Sequence, residues 1–172
     1  MKSRVLPTMR EILLQPEDVI VSKTDLKGRI TYANRAFMRV ANYSARDLLN
    51  VQHNLVRHPD MPRGAFKLLW DTLASGHEFF GYVKNMSANG DHYWVFANVT
   101  PDRDQNGKVV GYFSVRRRAR PSAVAVVEPI YREMLHEEAR AGAAHATSAS
   151  IRLLSSKLTA LGSTYDRFVL GI

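Results

Sequence analysis

The sequence contains no cysteine. Disulfides, thiolate metal sites and cysteine nucleophiles are therefore excluded. A flavin photoreceptor that works by forming a cysteinyl adduct is excluded as well. No stretch approaches the ~18 uncharged apolar residues that a bilayer-spanning helix requires, so no direct membrane span is expected. Residues 1–15 lack the continuous apolar segment of a secretory signal. A cytoplasmic location is expected, with any membrane association made through a partner. Catalytic patterns are also missing. There is no nucleophile–base pair at telling spacing, no phosphate loop and no metal-ligand motif. His77 and His92 are too isolated to argue for a metal. Neither an enzyme nor a metal site is expected.

The 172 residues, 45% of them hydrophobic, suffice for one domain of ordinary size plus an appendage. The formal charge is +8, from 24 Lys+Arg against 16 Asp+Glu. The densest basic run is Arg116-Arg117-Arg118-Ala119-Arg120, at the end of an expected strand. Alternate strand residues face opposite ways, so the run is not one flat patch. No helix with clustered basic residues accompanies it, and nucleic-acid binding is not expected.

The most concentrated chemistry lies in residues 53–61, where His53, Asn54, Arg57, His58 and Asp60 fall together. Pro62 follows, then an apolar-periodic run: Ala65, Phe66, Leu68, Leu69, Trp70 and Leu73. Pro near the start and Gly76 past the end punctuate a helix. The polar cluster thus precedes a helix N-terminus, where free N–H groups and the helix dipole favour an anion such as phosphate. The plainer reading makes His53 and His58 loop residues and Arg57 a surface ion pair.

In chain order, residues 1–17 read as a mobile lead-in with some helical tendency around Met9 to Leu14. Residues 19–24 and 29–33 read as a hairpin around Gly28. Asn34 and Ser44 can cap two short helices. The helix at residues 62–75 comes next. Strands are expected at 78–86, 92–100 and 108–118, with Asn-Gly turns between them. The class is α+β: a five-stranded antiparallel sheet with helices on one face, making a half-open cup for a small molecule. A helical extension occupies residues 121–172, and Pro129 should break or kink its first part. Ile151, Leu154, Leu158, Leu161, Tyr165 and Phe168 form an a/d seam over nearly three heptads. That seam suits contact with another chain or docking on the chain's own core.

Several motifs, in order and spacing, resemble the PAS sensor domain of the aerotaxis receptor family. They are Thr24-Asp25-Leu26, Ile30-Thr31-Tyr32-Ala33-Asn34, the run from His53 through Arg57-His58-Pro59-Asp60-Met61 to Pro62, Val83-Lys84-Asn85, and Asn89-Gly90-Asp91-His92-Tyr93-Trp94-Val95. Ala97 to Pro101, Gly111-Tyr112, Arg116 to Ala119 and Val126 to Tyr131 continue the match. The resemblance covers about residues 18–135 and places a PAS sensor domain at 18–120. It implies FAD in the cup, a redox, oxygen or energy sensor, and no catalytic residues. Arg57 and His58 match residues that hold FAD in the family. Asp60 belongs to the same motif, and is expected to fix Arg57 or to contact a ribose or adenine donor. Asn85 would face the polar edge of the flavin ring. Asn34 and His53 are further candidates. Phe66, Trp70, Phe79 and Tyr93 would pack on the ring or serve as core. Position 79 is often Trp in the family and is Phe here.

The resemblance also implies partners. A complete receptor carries a membrane anchor, a HAMP domain and a methyl-accepting coiled coil. This chain is therefore expected to be a stand-alone sensor docking on a chemoreceptor or HAMP-type protein, or part of such a receptor. A homodimer through the C-terminal helix is expected. Two alternatives use the same fold: a haem-binding gas sensor with an axial His, and a ligand-free interaction module.

Overall fold

The computed structural model describes residues 5–172. Strands β1 (Ile20–Asp25) and β2 (Ile30–Ala33) form the first hairpin. Its turn needs a left-handed residue, and Gly28 supplies φ +76°. The Asn34 side chain accepts from Phe37 N and so caps α1 (Arg35–Ala41). Ser44 and Asp47 make a capping box on α2 (Ala45–Leu48). A 3-10 turn (His53–Val56) leads into α3 (Arg63–Ala74). Strands β3 (Phe79–Met86), β4 (His92–Arg103) and β5 (Val109–Arg118) complete the sheet. The order is β2-β1-β5-β4-β3, antiparallel throughout. This leaves β3 at one edge.

One core lies between the sheet and the short helices: Ile20, Ile30, Phe37, Val40, Leu48, Val56, Tyr93 and Val95. Tyr93 and Trp94 are strand neighbours and so face opposite ways. Trp94, with Tyr82, packs into a second core against Val127 and Tyr131. That second layer comes from the extension, which covers the other face of the sheet near β3 and β4. The physical reason is the size of Tyr82, Trp94 and Phe96, whose apolar surface is costly to leave in water.

The extension is α4 (Pro121–Ala141), α5 (Ala146–Ala160) and α6 (Tyr165–Gly171). Pro129 does not break α4. Pro129 and Ala125, whose carbonyl loses its intrahelical partner, are both exposed, so water can serve that oxygen. The expected heptad seam is not one helix. Gly162, with φ +59°, ends α5, and Thr164 caps α6. Leu161 is 63% exposed, whereas Leu154 and Val169 are buried in the second core. The seam therefore docks on the chain's own β3 and α3. Gly64 of α3 makes this possible, because a Cβ there would stand 2.2 Å from Ser150 Oγ of α5.

The lead-in also differs from expectation. Around Met9 to Leu14 the chain is extended rather than helical. Thr8 N donates to Gly90 O (2.8 Å), Ile12 N to His92 O (2.8 Å) and His92 N to Arg10 O (3.0 Å). Leu14 is buried in the first core. Pairing with the start of β4 and burial of Leu14 outweigh local helix preference.

Tyr131 ties α4 to the sheet: its hydroxyl donates to Tyr82 O at 2.8 Å in a buried setting. Tyr131→Phe should lower stability by about 1 kcal/mol in urea unfolding, because the buried carbonyl loses its donor. An unchanged unfolding free energy would show that the bond contributes nothing net.

Candidate functional site

The loop carrying the polar cluster runs along the β3 edge. Arg57 pairs with Asn85 in an isolated antiparallel bridge, and Lys84 N lies 3.2 Å from Met61 Sδ. Arg57 is not a surface ion pair. Its Nη2 donates to Met61 O at 2.8 Å, and its guanidinium lies 4.4 Å from the Phe66 ring centroid. Burial lowers its pKa, Glu138 opposes that shift, and Arg63 adds to it.

His58 is 3% exposed. Its Nδ1 accepts the Asp60 backbone N–H at 3.1 Å. The ring proton of the neutral form is therefore on Nε2, which is buried without a partner. Burial, with Lys84 and His92 adding, holds its pKa down at about 4 against the pull of Asp60. Asp60 does not fix Arg57. Its carboxylate pairs with Lys84 Nζ at 2.7 Å, and Lys84 also lies 3.7 Å from Glu128 of α4. Burial alone would raise the Asp60 pKa; the Lys84 hydrogen bond and charge outweigh it, and the net shift is downward.

The start of α3 does attract an anion, but that anion is internal. Gly64 N donates to Glu138 Oε1 of α4 at 3.1 Å.

A second cluster lies in the first core, between the sheet and the short helices. Arg116 is buried, with its guanidinium 4.4 Å from the Phe37 ring centroid and Nη2 donating to Ser22 Oγ at 2.6 Å. Ser22 Oγ also lies 3.1 Å from His53 Nε2. The His53 ring also stacks on Phe37, at 5.7 Å. Burial, then the charge of Arg116, depresses the His53 pKa to about 3. Burial brings Arg116 itself down to about 10, with Tyr93 opposing. Arg116 Nε and Nη1, Tyr93 Oη and Thr24 Oγ1 are buried without partners. A buried cation without a carboxylate costs several kcal/mol. This cluster is a set of donors in want of an acceptor.

Sequence reasoning singled out His53 and Tyr93 but read Arg116 as part of a basic run and of a matched strand motif, not as a site residue. The signal was present in the strand alternation. Arg116 is paired with Ala97 and Ile20, both inward-facing, while Arg117 and Arg118 are exposed. Ser22 and Glu138 carried no signal, because each acts through a distant partner; Lys84 appeared only within the Val83-Lys84-Asn85 motif.

The remaining candidates divide. Asn85 is buried opposite Tyr93 in register, beside the Arg57 bridge. Phe66 lies under Arg57. The Asn34 amide is spent on the backbone: it accepts from Val21 N and Phe37 N and donates to Val19 O. Trp70 is 42% exposed and meets Tyr112 edge-on at 5.4 Å. Phe79 stacks on Tyr165 of α6 at 5.6 Å, so its ring surface is already covered.

The depressed histidines give a pH prediction. Unfolded, each titrates near the usual 6.5; folded, at about 3 and about 4. Between those values the unfolded chain binds more protons, so stability falls as pH falls from about 6.5 towards 4. The slope is roughly 1.4 kcal/mol per pH unit for each fully buried histidine. Urea midpoints that stay flat across this range would contradict the neutral, buried assignment.

The β2-β1-β5-β4-β3 order and the short helices packed over one face define the fold. The model for the PAS fold matches residues 30–116, and the chain belongs to that family. The aerotaxis receptor of Escherichia coli (strain K12) is 43% identical over 134 residues, covering 78% of this chain and 26% of that protein. The nitrogen fixation regulatory protein of Klebsiella pneumoniae is 31% identical over 105 residues, covering 61% and 21%. The chain thus spans about a quarter of these relatives. Among solved structures, a light-oxygen-voltage domain studied with a flavin analogue superposes with TM-score 0.57 at 19% identity, covering 63% of this chain and 82% of that one. The dark form of the blue-light photoreceptor Aureochrome1 LOV gives 0.54 at 21%, covering 67% and 94%. Among the described residues, no helix is long and apolar enough to cross a membrane.

Proposed function

We propose that this chain is a flavin-binding redox sensor domain that takes FAD and signals to a chemoreceptor-type partner. The observation that carries the reading is the buried Arg116, whose two unpartnered donor positions lie, with the unpaired Tyr93 hydroxyl, in the first core between the sheet and the short helices. A bound flavin supplies reversible electron transfer, with changed charge and hydrogen bonding at the polar edge of its ring. Arg116 and Tyr93 offer donors to that edge, and Asn85 an amide that can donate or accept. Arg57 and the Nε2–H of His58 offer donors to phosphate or ribose oxygens. The role is sensing rather than catalysis. The similarity to the aerotaxis receptor supports a partner in taxis signalling, reached through the helices that follow β5.

The test is reconstitution with FAD, followed by flavin fluorescence. Arg57→Ala and His58→Ala should each weaken binding at least tenfold while leaving the far-UV spectrum intact. Binding at wild-type strength in both variants would contradict the assignment of the loop. Asn85→Ala should retain flavin but lose the difference in protease sensitivity of α4 between oxidised and reduced protein. An undiminished difference would remove Asn85 from the signal.

A further inference from the structure

The groove beside the edge loop holds more cationic donors than its own chain satisfies. It is lined by Arg29, Arg57 and Arg63, and Glu138 is the sole acid among the described residues that line it. Glu138 is 8% exposed, lies near the end of α4, and takes the Gly64 N–H at the first turn of α3. His58, 3% exposed, lines the same groove and keeps an Nε2–H with no acceptor. Three guanidinium groups and an unpaired buried donor therefore share this groove with one carboxylate. The wall that carries Glu138 is Leu135 followed by small residues: Ala139, Gly142 and Ala143.

We propose that Glu138 is an internal stand-in for a phosphate group. It holds the end of α4 on the groove, and the diphosphate of a bound nucleotide competes with it for the start of α3 and its arginines. Anion binding then releases the end of α4, and docking of α4 weakens the anion by the same factor. The other half of α4 stays anchored, because Lys84 lies 3.7 Å from Glu128 while paired with Asp60 at 2.7 Å. Release is thus confined to the last turns, and ligand occupancy is converted into a movement of the helix that leads to α5. The natural ligand rests on the flavin reading above; the competition requires only a phosphate anion.

The test titrates ligand-free protein separately with inorganic pyrophosphate and with FAD, in wild type and in Glu138→Gln. Gln keeps an acceptor for Gly64 N–H and removes the charge. Each probe should bind about tenfold more tightly to the variant. In wild type, bound pyrophosphate should speed amide exchange in residues 134–141 and leave β3 to β5 unchanged. If the variant folds poorly, as judged by its urea midpoint, the wild-type exchange result decides. Equal affinities in two well-folded proteins, or unchanged exchange in α4 with probe bound, overturn the proposal. FAD binding without dependence on Glu138 overturns the competition and leaves the flavin reading standing. Pyrophosphate showing both effects while FAD fails to bind supports the competition and removes the flavin. Binding of neither probe overturns both.

Discussion

Arg116→Met should separate stability from ligand binding. The ligand-free variant is expected to be more stable than wild type by about 1–4 kcal/mol, because an uncompensated buried charge gives way to an apolar chain of similar length. Met can rest on Phe37 as the guanidinium does, at 4.4 Å, and Ser22 and His53 keep their mutual hydrogen bond. The same variant should bind flavin roughly tenfold to a hundredfold more weakly, the value of one charged hydrogen bond at about 1.5–3 kcal/mol. Unfolding of the ligand-free protein and a flavin titration check the two halves. A destabilised variant with normal affinity would make Arg116 a structural residue and remove the main support for the cup as a cofactor site.

Gly64→Ala should detach the extension. The added Cβ would stand 2.2 Å from Ser150 Oγ, 3.1 Å from Ile151 N and 3.2 Å from Met134 Cε. The serine can rotate away, but the backbone of α5 cannot yield without moving the helix. Overpacking of this kind costs about 1–3 kcal/mol. The expected result is a lower unfolding midpoint together with faster amide exchange in α5 and α6, and slower change in the sheet. A variant with wild-type exchange in α5 would contradict close docking of the extension on α3. The effect bears on output, since the same glycine gives its N–H to Glu138.

Much of this arrangement was legible in the chain. The sheet, the two caps at Asn34 and Ser44, and the helix after Pro62 follow from alternation, turn glycines and capping residues, which are local signals. The motif carried by Arg57, His58 and Asp60 was legible as a polar cluster, and the structure gathers those residues along the β3 edge. What escaped was long-range. The anion attracted to α3 is Glu138, seventy-four residues away. Asp60 meets Lys84 across the edge rather than Arg57 beside it. The heptad spacing from Ile151 to Phe168 was read as continuous, but Gly162 and the Thr164 cap divide it. Its residues found apolar partners in α3 and β3 before any second chain was needed. Asn34 was a plausible ligand by type, yet its three hydrogen bonds to the backbone consume the amide.

The central claim is that the buried cluster of Arg116, Tyr93 and His53 holds a flavin and the edge loop holds its phosphates. The most direct test is the visible absorption spectrum of the purified protein, followed by denaturation and mass measurement of whatever is released. The account predicts the two-banded spectrum of an oxidised flavin and a released mass equal to FAD. A Soret band, or a colourless protein that fails to take up added FAD, would contradict it.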